Sequence, residues 1–344
     1  MYPVFDVAAV REAEAHLMPT LPAGTLMQRA AYGLAGVVAD VLKQHVGHIS
    51  GTTAVGLIGP GNNGSDTLLA LSYLARRGVR VVAVDITGQR TPDHTDDAFT
   101  AAHGQWWSLN DAQWREVDID VVLDGIAGLG SSRALTADVA EFLATLDPAI
   151  PLIAVDVPSG IDVDTAAPFD AHRCVRADMT VAFGCLKPCH VLDPGADLCG
   201  AVRLVTIGLE SFESAPQLYR VDDDDAAECF DDPTMYDNKY SRGVVGVLAG
   251  AHYPGAGLLT VRAARWGGAG MVRQVGATFT EELATVVHHP KLTKKIDADA
   301  WVVGPGLGAA APDLLEKLLA TSAPLVIDAD ALNALASDKD LRKA

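Results

Sequence analysis

A glycine-rich stretch between an apolar run and an amphipathic segment constrains this chain more than any other feature. Residues 55–58 form a short continuous apolar run, as in a strand buried within a parallel sheet. Glycines follow at positions 59, 61 and 64, and residues 67–77 then have helical spacing. Glycines let the backbone approach a ligand closely, and free N–H groups at a helix N-terminus attract anions. The stretch therefore predicts a phosphate site, beside polar side chains that can bind a hydroxyl or a hard cation: Asn62, Asn63 and Asp66.

The same glycines satisfy a dinucleotide-binding fingerprint. The spacing Gly59-x-Gly61-x-x-Gly64 fits it, and Asp85 ends the next apolar run, where an acid could bind a ribose. An NAD-binding Rossmann oxidoreductase is thus the first functional hypothesis. A tight strand-to-helix turn without a ligand is the structural alternative, and the density of Asn and Asp in the loop disfavours it.

Apolar runs and helical segments alternate over the first 207 residues. The pattern predicts strands at 55–58, 79–85, 121–124, 152–156, 180–183 and 202–207, and helices at 4–15, 25–44, 67–77, 93–103 and 136–146. Such alternation is typical of a parallel sheet covered by helices on both faces. Ligands bind beyond the carboxyl ends of such strands. Singly, a polar residue there could be a turn or cap residue. Together they predict one pocket, formed by Asn63, Asp66, Asp124, Asp156 and Ser159.

The organisation changes after residue 209. Four consecutive acids occupy positions 222–225, and little periodicity surrounds them. Such a charge run is typical of a solvated linker. We therefore predict a first domain over 1–212, an acidic linker over 213–238 and a second domain over 239–344. The strand-and-helix pattern restarts at 244–248, yet few strands are predicted beyond it, so we expect the second domain to be incomplete.

Charge and hydropathy exclude several classes of function. The net charge of −18 argues against nucleic acid or an anionic membrane as a partner. No run approaches the ~20 apolar residues of a membrane span, and the N-terminus lacks a signal-sequence pattern. We expect a cytoplasmic protein. Cys185, Cys189 and His190 with Cys199 allow a zinc site, but no second, matching pair completes it. Three thiols that share a loop by chance is the preferred interpretation.

Several motifs, in order, resemble a known enzyme family. The sequences of residues 26–31, 59–66, 124–130 and 156–162 resemble those of the NAD(P)H-hydrate epimerase family and cover the first ~210 residues. Residues 239–243, 254–257, 304–308 and 328–333 resemble the ADP-dependent NAD(P)H-hydrate dehydratase. The resemblance implies a Rossmann-like, three-layer α/β/α domain with a mostly parallel sheet, followed by a truncated ribokinase-like α/β domain. Fusion of the two is the arrangement of the bifunctional NAD(P)H-hydrate repair enzymes.

The resemblance also implies a reaction, which is epimerisation of the R and S forms of hydrated NADH or NADPH. Asp156 is the predicted acid–base residue, and a potassium ion is predicted on Asn63, Asp124 and Ser159. We expect this small molecule as the substrate and a homo-oligomer as the assembly; ADP or ATP would bind only if the second domain were complete. The predicted substrate-binding residues are Asn62, Asn63, Gly64, Ser65, Asp66, Gly128, Leu129, Gly130, Ser131, Ser132, Arg133, Ala134 and Asp156, with Ala256, Gly306 and Gly308 in the second domain.

Two departures from the family pattern qualify these expectations. The family loop reads Asn-Asn-Gly-Gly-Asp-Gly, whereas this chain has Ser65 and Thr67 in place of the second and third glycines. If Ser65 required a positive φ, its backbone would be strained. The late dehydratase motifs do not follow residues 328–333, so we expect no dehydratase activity. A non-catalytic, nucleotide-binding scaffold of the same fold is the third hypothesis.

Overall fold

The computed structural model describes residues 1–86, 88, 92–111, 117–209, 215–230, 232–276 and 285–343. The chain forms two compact units, Met1–Asp222 (unit 1) and Asp223–Ala344 (unit 2). The described helices of unit 1 are α1 (Val7–Leu17), α2 (Thr25–His45), α3 (Asn62–Ala75), α4 (His94–Ala101), α5 (Ala137–Thr145) and α6 (Gly195–Cys199). Its described strands are β1 (Tyr2–Val4), β2 (Thr53–Ile58), β3 (Arg80–Asp85), β4 (Gln105–Trp107), β5 (Val121–Gly125), β6 (Leu152–Val155), β7 (Met179–Phe183), β8 (Ala201–Val205) and β9 (Leu218–Arg220).

The sheet of unit 1 has its most apolar strands at the centre. Within the described residues, seven parallel strands pair in the order β4-β3-β2-β5-β6-β7-β8. Every residue of β2 is buried, as a strand covered on both faces requires. Helices α2 and α3 pack on one face through residues such as Leu34 and Leu71, and Phe142 of α5 packs on the other. This arrangement confirms the Rossmann-like α/β/α fold, and it places the ends of β2, β5 and β6 at one edge.

Helix α3 begins earlier than the sequence predicts. The predicted loop residues 62–66 form its first turn, and Gly61 is its N-cap. Close backbone contacts explain two glycines, since a Cβ on Gly59 would lie 1.8 Å from the Ile126 carbonyl oxygen and one on Gly64 2.2 Å from the Gly59 carbonyl oxygen. Ser65 is helical, and its hydroxyl donates to Oδ2 of Asp93 at 2.9 Å. Ser65 does not have the positive φ that would strain its backbone, because a helical turn keeps φ negative.

The N-terminal segment ties α1 to the loops of the sheet. Strand β1 pairs antiparallel with β9, and the Phe5 amide donates to the Leu186 carbonyl at 3.0 Å. Asp6 is the N-cap of α1 and accepts from the Ala9 amide at 2.7 Å. Arg11 then donates from Nη2 to the Leu129 carbonyl at 3.3 Å. Helix α1 is therefore held against the loops that follow β5 and β7.

Unit 2 contains a second parallel sheet. Its described helices are α7 (Asp223–Glu228), α8 (Pro254–Trp266), α9 (Ala311–Leu319) and α10 (Ala329–Ser337), and its described strands are β10 (Val244–Ala249), β11 (Met271–Gly276), β12 (Val286–His289), β13 (Ala300–Val303) and β14 (Leu325–Ile327). These strands pair in the order β12-β11-β10-β13-β14. The parallel sheet agrees with the ribokinase-like fold, although β11 and β12 were not predicted.

The predicted linker over 213–238 contains regular structure. Strand β9 and helix α7 both lie within it, and residues 213, 214 and 231 lie outside the described part of the chain. The boundaries of the two domains therefore stay predictions. Among the described residues, no helix is both long enough and apolar enough to cross a lipid bilayer.

Candidate functional site

A cavity of about 990 Å³ lies at the carboxyl ends of the unit 1 strands. Residues of α1 and α2, among them Arg11, Glu14 and Met27, form part of its wall. Three predicted site residues of unit 1 do not line it, namely Gly64, Ser65 and Asp124. The predicted residues that do line it are Asn62, Asn63, Asp66, Gly128, Leu129, Gly130, Ser131, Ser132, Arg133, Ala134, Asp156 and Ser159.

A buried ion pair fixes the carboxylate of Asp156. Lys187 donates from Nζ to Oδ1 of Asp156 at 2.5 Å and to the Phe183 carbonyl at 2.8 Å. The Phe183 amide donates to the same carboxylate oxygen at 3.0 Å. Burial alone would lower the pKa of Lys187, but the charge and hydrogen bond of Asp156, together with the neighbouring Cys185 and Cys189, outweigh it and leave that pKa raised. The lysine therefore stays charged and holds Asp156 in one orientation.

The backbone of Asp156 is unusual, and a histidine supports it. Its φ of 64° places it in the left-handed region, which non-glycine residues seldom adopt. The Lys187 amide donates to Nδ1 of His190 at 3.1 Å, so Nε2 carries the proton and donates to the Asp156 carbonyl at 2.8 Å. Burial, with the charge of Lys187, lowers the pKa of His190 to about 4. A neutral His190 therefore holds the strained residue.

The cysteine and histidine cluster suits packing better than metal binding. Ligand atoms of Cys189, His190 and Cys199 lie within 4.8 Å of one another, and all three residues are buried. Both ring nitrogens of His190 already make the hydrogen bonds described above. The Cys199 thiol donates to the Cys189 carbonyl at 3.4 Å. A metal would have to displace a bond that supports Asp156, so the structure favours the interpretation of thiols in a shared loop.

A second polar group surrounds the buried Asp124, whose neighbours Asn63, Ala127 and Ser159 line the cavity. Oδ1 of Asp124 accepts from the Ser159 hydroxyl at 2.7 Å, and Oδ2 accepts from the Ser159 amide at 2.8 Å. The Ser159 hydroxyl in turn accepts from the Ala127 amide at 2.9 Å, and Asn63 donates from Nδ2 to the Ala127 carbonyl at 3.0 Å. Burial raises the pKa of Asp124 to about 6. The three predicted metal ligands thus meet around one backbone segment.

The donor set of this group fits a hard monovalent cation. It offers a carboxylate, a hydroxyl and an amide oxygen, with the Ala127 carbonyl beside them. Within the described residues, no ion pair with lysine or arginine neutralises the Asp124 carboxylate. An uncompensated buried carboxylate is costly, and a bound cation would remove that cost. The residues present therefore fit potassium.

Two further carboxyl groups line the cavity. Burial raises the pKa of Asp66 well above its usual range, and the charges of Asp156 and Glu14 add to this. Burial, followed by the charge of Asp156, also raises the pKa of Glu14, while Lys187 and Arg11 act in the opposite direction. The cavity therefore holds three carboxyl groups that interact electrostatically.

The predicted residues of unit 2 lie on two loops that contact each other. The His252 amide donates to the Gly306 carbonyl at 3.1 Å, and the Gly308 amide donates to Oδ2 of Asp330 at 2.7 Å. Gly306 and Gly308 both have positive φ, at 68° and 57°. Ala256 lies in the first turn of α8, where its amide donates to the Tyr253 carbonyl. Glycine-rich backbone and a helix N-terminus meet here, as at an anion site.

Comparison with known proteins identifies the family. The family model described as YjeF-related protein N-terminus matches residues 23–189, and the one described as NAD(P)H-hydrate dehydratase matches residues 245–344. The bifunctional NAD(P)H-hydrate repair enzyme Nnr of Mycobacterium leprae is 40% identical over an alignment of 347 positions, which covers 98% of this chain and 70% of the relative. The chain belongs to the family of bifunctional NAD(P)H-hydrate repair enzymes.

Other relatives agree with this assignment. The Nnr enzyme of Mycobacterium tuberculosis is 40% identical over 344 residues, which cover 98% of this chain and 70% of the relative. Among solved structures, that of yeast ynu0 has a TM-score of 0.47 and 22% identity, and the match covers 54% of this chain and 82% of the yeast chain. The family models and the two Nnr relatives confirm the family resemblance drawn from the motifs.

Sequence reasoning missed the residues that support Asp156. Lys187 and His190 follow it by 31 and 34 positions, and no local motif connects either one with Asp156. Glu14 and Arg11 occupy one side of α1, where acidic and basic residues are ordinary on a solvated helix. Helical spacing places the two residues on one face, but only the fold places that face at the cavity.

Proposed function

We propose that the unit 1 cavity interconverts the R and S forms of hydrated NADH and NADPH, with Asp156 as the proton-transfer residue. Family membership supports the reaction class. The single observation that carries the residue assignment is the cavity-facing Asp156 carboxylate, held by Lys187 and the Phe183 amide. The comparisons do not favour the oxidoreductase hypothesis, and Asp85 does not line the cavity.

The cavity suits a nicotinamide nucleotide. Its volume of about 990 Å³ is at the upper end of the ~300–1,000 Å³ usual for ligand pockets. Helix α3 points its N-terminus into the cavity, and its N-cap Gly61 supplies no side chain to cover the free amides. A phosphate would bind there. Arg133 adds a positive charge to the lining, which favours an anionic substrate.

The reaction inverts the ring carbon that bears the hydroxyl. As a proton reaches that hydroxyl, the C–O bond breaks with its electron pair, water forms, and the lone pair of the neighbouring ring nitrogen forms a C=N bond. Water then adds to the other face of the ring, the C=N pair returns to nitrogen, and the added water loses a proton. Asp156 is the residue that exchanges a proton with this water. Its ion pair with Lys187 fixes its direction.

Potassium would bind to Asn63, Asp124 and Ser159. A bound cation would supply positive charge beneath the substrate and offset the Asp124 carboxylate. The chain's own contribution at this point is to keep Asn63 and Ser159 directed at the same backbone segment. These hydrogen bonds fix residues 126–128, which form part of the cavity wall.

The assignment of Asp156 is tested with pure S-hydrate. The purified chain is expected to convert it to the R form, measured by chromatography over time, and Asp156→Asn is expected to slow conversion by about 10²–10⁴-fold. Asp147→Asn, which alters an exposed carboxylate, is the matched control and should keep the parental rate. An unchanged rate in Asp156→Asn would show that the proton is handled elsewhere. A parental chain without conversion would instead favour the scaffold hypothesis.

The dehydratase half of the family corresponds to unit 2. The match over residues 245–344 supports ADP- or ATP-dependent dehydration. The binding of nucleotide at Ala256, Gly306 and Gly308 stays a prediction from the sequence motifs. ADP-dependent recovery of NADH from the hydrate is the measurement that tests this activity in unit 2. The homo-oligomer and the cytoplasmic location also stay predictions. Light scattering on the eluting protein measures the first, and cell fractionation measures the second.

A further inference from the structure

Glu14 reaches the cavity from an element that carries none of the predicted site residues. It lies on α1, and its carboxyl lines the same cavity as Asp156 and Lys187. The Phe5–Leu186 hydrogen bond joins the segment before α1 to the loop that carries Lys187. Arg11, one turn before Glu14, bonds the Leu129 carbonyl. The position of Glu14 relative to Asp156 is therefore fixed by contacts on two sides.

The carboxyl of Glu14 has no fixed partner in the described chain. No hydrogen bond or ion pair joins it to another described residue, whereas Asp156 accepts from both Lys187 and the Phe183 amide. The charged and titratable groups that face Glu14 come from several elements. They are Arg11 on its own helix, Asp66 on α3, Asp156 after β6, and Cys185 and Lys187 after β7. Burial and the charge of Asp156 raise the pKa of Glu14, so it keeps a proton more readily than an exposed glutamate.

The chemistry of inversion calls for two proton-transfer groups. Water leaves from one face of the ring and returns to the other, and a carboxylate fixed by an ion pair reaches one face only. Two carboxyl groups in different electrostatic environments can take the roles of acid and base. Asp156 is ion-paired with Lys187, whereas Glu14 is half-buried and has no such partner among the described residues, so the two carboxyl groups differ in their surroundings.

We propose that Glu14 is a second proton-transfer residue of the epimerisation, acting from α1 on the ring face that Asp156 does not reach. This inference rests on the proposed function of unit 1. In one direction, Glu14 gives its proton to the leaving hydroxyl as the C–O bond breaks, and water is released. A water on the other face then adds to carbon and gives its proton to Asp156. Asp156 then releases its proton to solvent water and Glu14 takes one up, which restores both residues for the next turnover; in the reverse direction the two residues exchange roles.

The test uses the full chain and three variants: Glu14→Gln, Glu14→Asp and Glu12→Gln. Glu12→Gln alters an exposed glutamate on the same helix and should keep the parental rate. We expect Glu14→Gln to lower the S-to-R rate at saturating substrate by about 10²-fold or more. Its affinity for unhydrated NADH should stay within twofold. Glu14→Asp should recover part of the rate, because it restores a carboxyl group.

The pH profile separates proton transfer from a structural role. The parental rate should fall as rising pH removes the proton from Glu14, and this fall should be absent from the residual activity of Glu14→Gln. A fall that persists in Glu14→Gln, an unchanged rate, or a loss of rate matched by an equal loss of NADH affinity would each overturn the inference. A parental chain that does not interconvert the hydrates would sink the proposed function itself. If the parental chain is active and Glu14→Gln keeps the same rate, only the role of Glu14 is refuted.

Discussion

Replacing Lys187 with methionine tests the buried ion pair most directly. Lys187 is 1% exposed and Asp156 is 6% exposed, so both charges are removed from water. Methionine keeps much of the apolar stem but leaves the Asp156 carboxylate without its counter-charge. Breaking a buried pair on one side costs about 3–5 kcal/mol, and the lost bond to the Phe183 carbonyl adds about 1 kcal/mol. We expect unit 1 to lose roughly 4–6 kcal/mol, a large part of the ~5–15 kcal/mol of a typical domain.

A double-mutant cycle isolates the interaction itself. Asp156→Asn alone leaves a buried lysine unpaired and should also be costly, whereas the double variant buries no unpaired charge. The loss of unfolding free energy in the double variant should therefore be smaller than the sum of the two single losses by about 3 kcal/mol. Amide hydrogen exchange in β7 is the assay, because that strand is mostly buried and is hydrogen-bonded to β6 on one side and β8 on the other, so its exchange reports opening of this part of unit 1.

An exposed pair supplies the control for this cycle. Arg176 and Asp197 form an ion pair at 2.7 Å, but their side chains are 65% and 68% exposed. Solvent screens such a pair, so Arg176→Met should change exchange in β7 little. Losses at Lys187 and Asp156 that simply add, or a Lys187→Met variant no less stable than Arg176→Met, would refute the argument from burial.

Three other predictions concern acid stability, backbone contact and potassium. The pKa of His190 is lowered to about 4, so the contribution of the neutral ring to unfolding free energy is present above pH 6.5 and is lost as the pH falls through 4. His190→Gln should therefore lose about 3 kcal/mol less unfolding free energy than the parental chain between pH 7 and pH 4, measured by urea titration. Gly59→Ala places a Cβ 1.8 Å from a carbonyl oxygen and should cost more than 1 kcal/mol, whereas Gly61→Ala meets nothing within 4 Å and should be nearly neutral; equal melting temperatures would contradict this. Potassium should raise the melting temperature relative to choline at equal ionic strength, and the same shift in Asn63→Ala would exclude the predicted ligand set.

The parallel sheet of unit 1 could be predicted because its strands are covered on both faces. Continuous apolar runs such as β2 result from that burial, and the structure places all six residues of β2 inside. Strand β11 was missed because it lacks such a continuous apolar run. Arg273 and Gln274 interrupt its apolar run, although Gln274 is buried in the fold. Strand β12 ends in two histidines and offers no run at all.

The residues at the strand ends could be predicted, but those that α1 and the loop after β7 contribute to the cavity could not. Asp124 and Asp156 follow apolar runs, and parallel strands bring such ends to one edge, as the structure finds. Their chemical roles remain predictions. Glu14 and Lys187 belong to the same cavity through contacts between distant segments, and a single sequence contains no local signal for such contacts. The length of α3 was also underestimated, because asparagine and glycine at its start are typical of loops.

The left-handed backbone of Asp156 limits what can stand at that position. Asparagine and glycine accept such a conformation at small cost, whereas valine, isoleucine and threonine would collide with their own main chain. A library randomised at this codon would therefore return folded protein chiefly with aspartate, and next with asparagine or glycine, which suit the backbone but leave Lys187 without its counter-charge. Comparing folding with activity across these three shows which part of the role is chemical, since only aspartate carries a proton that it can exchange.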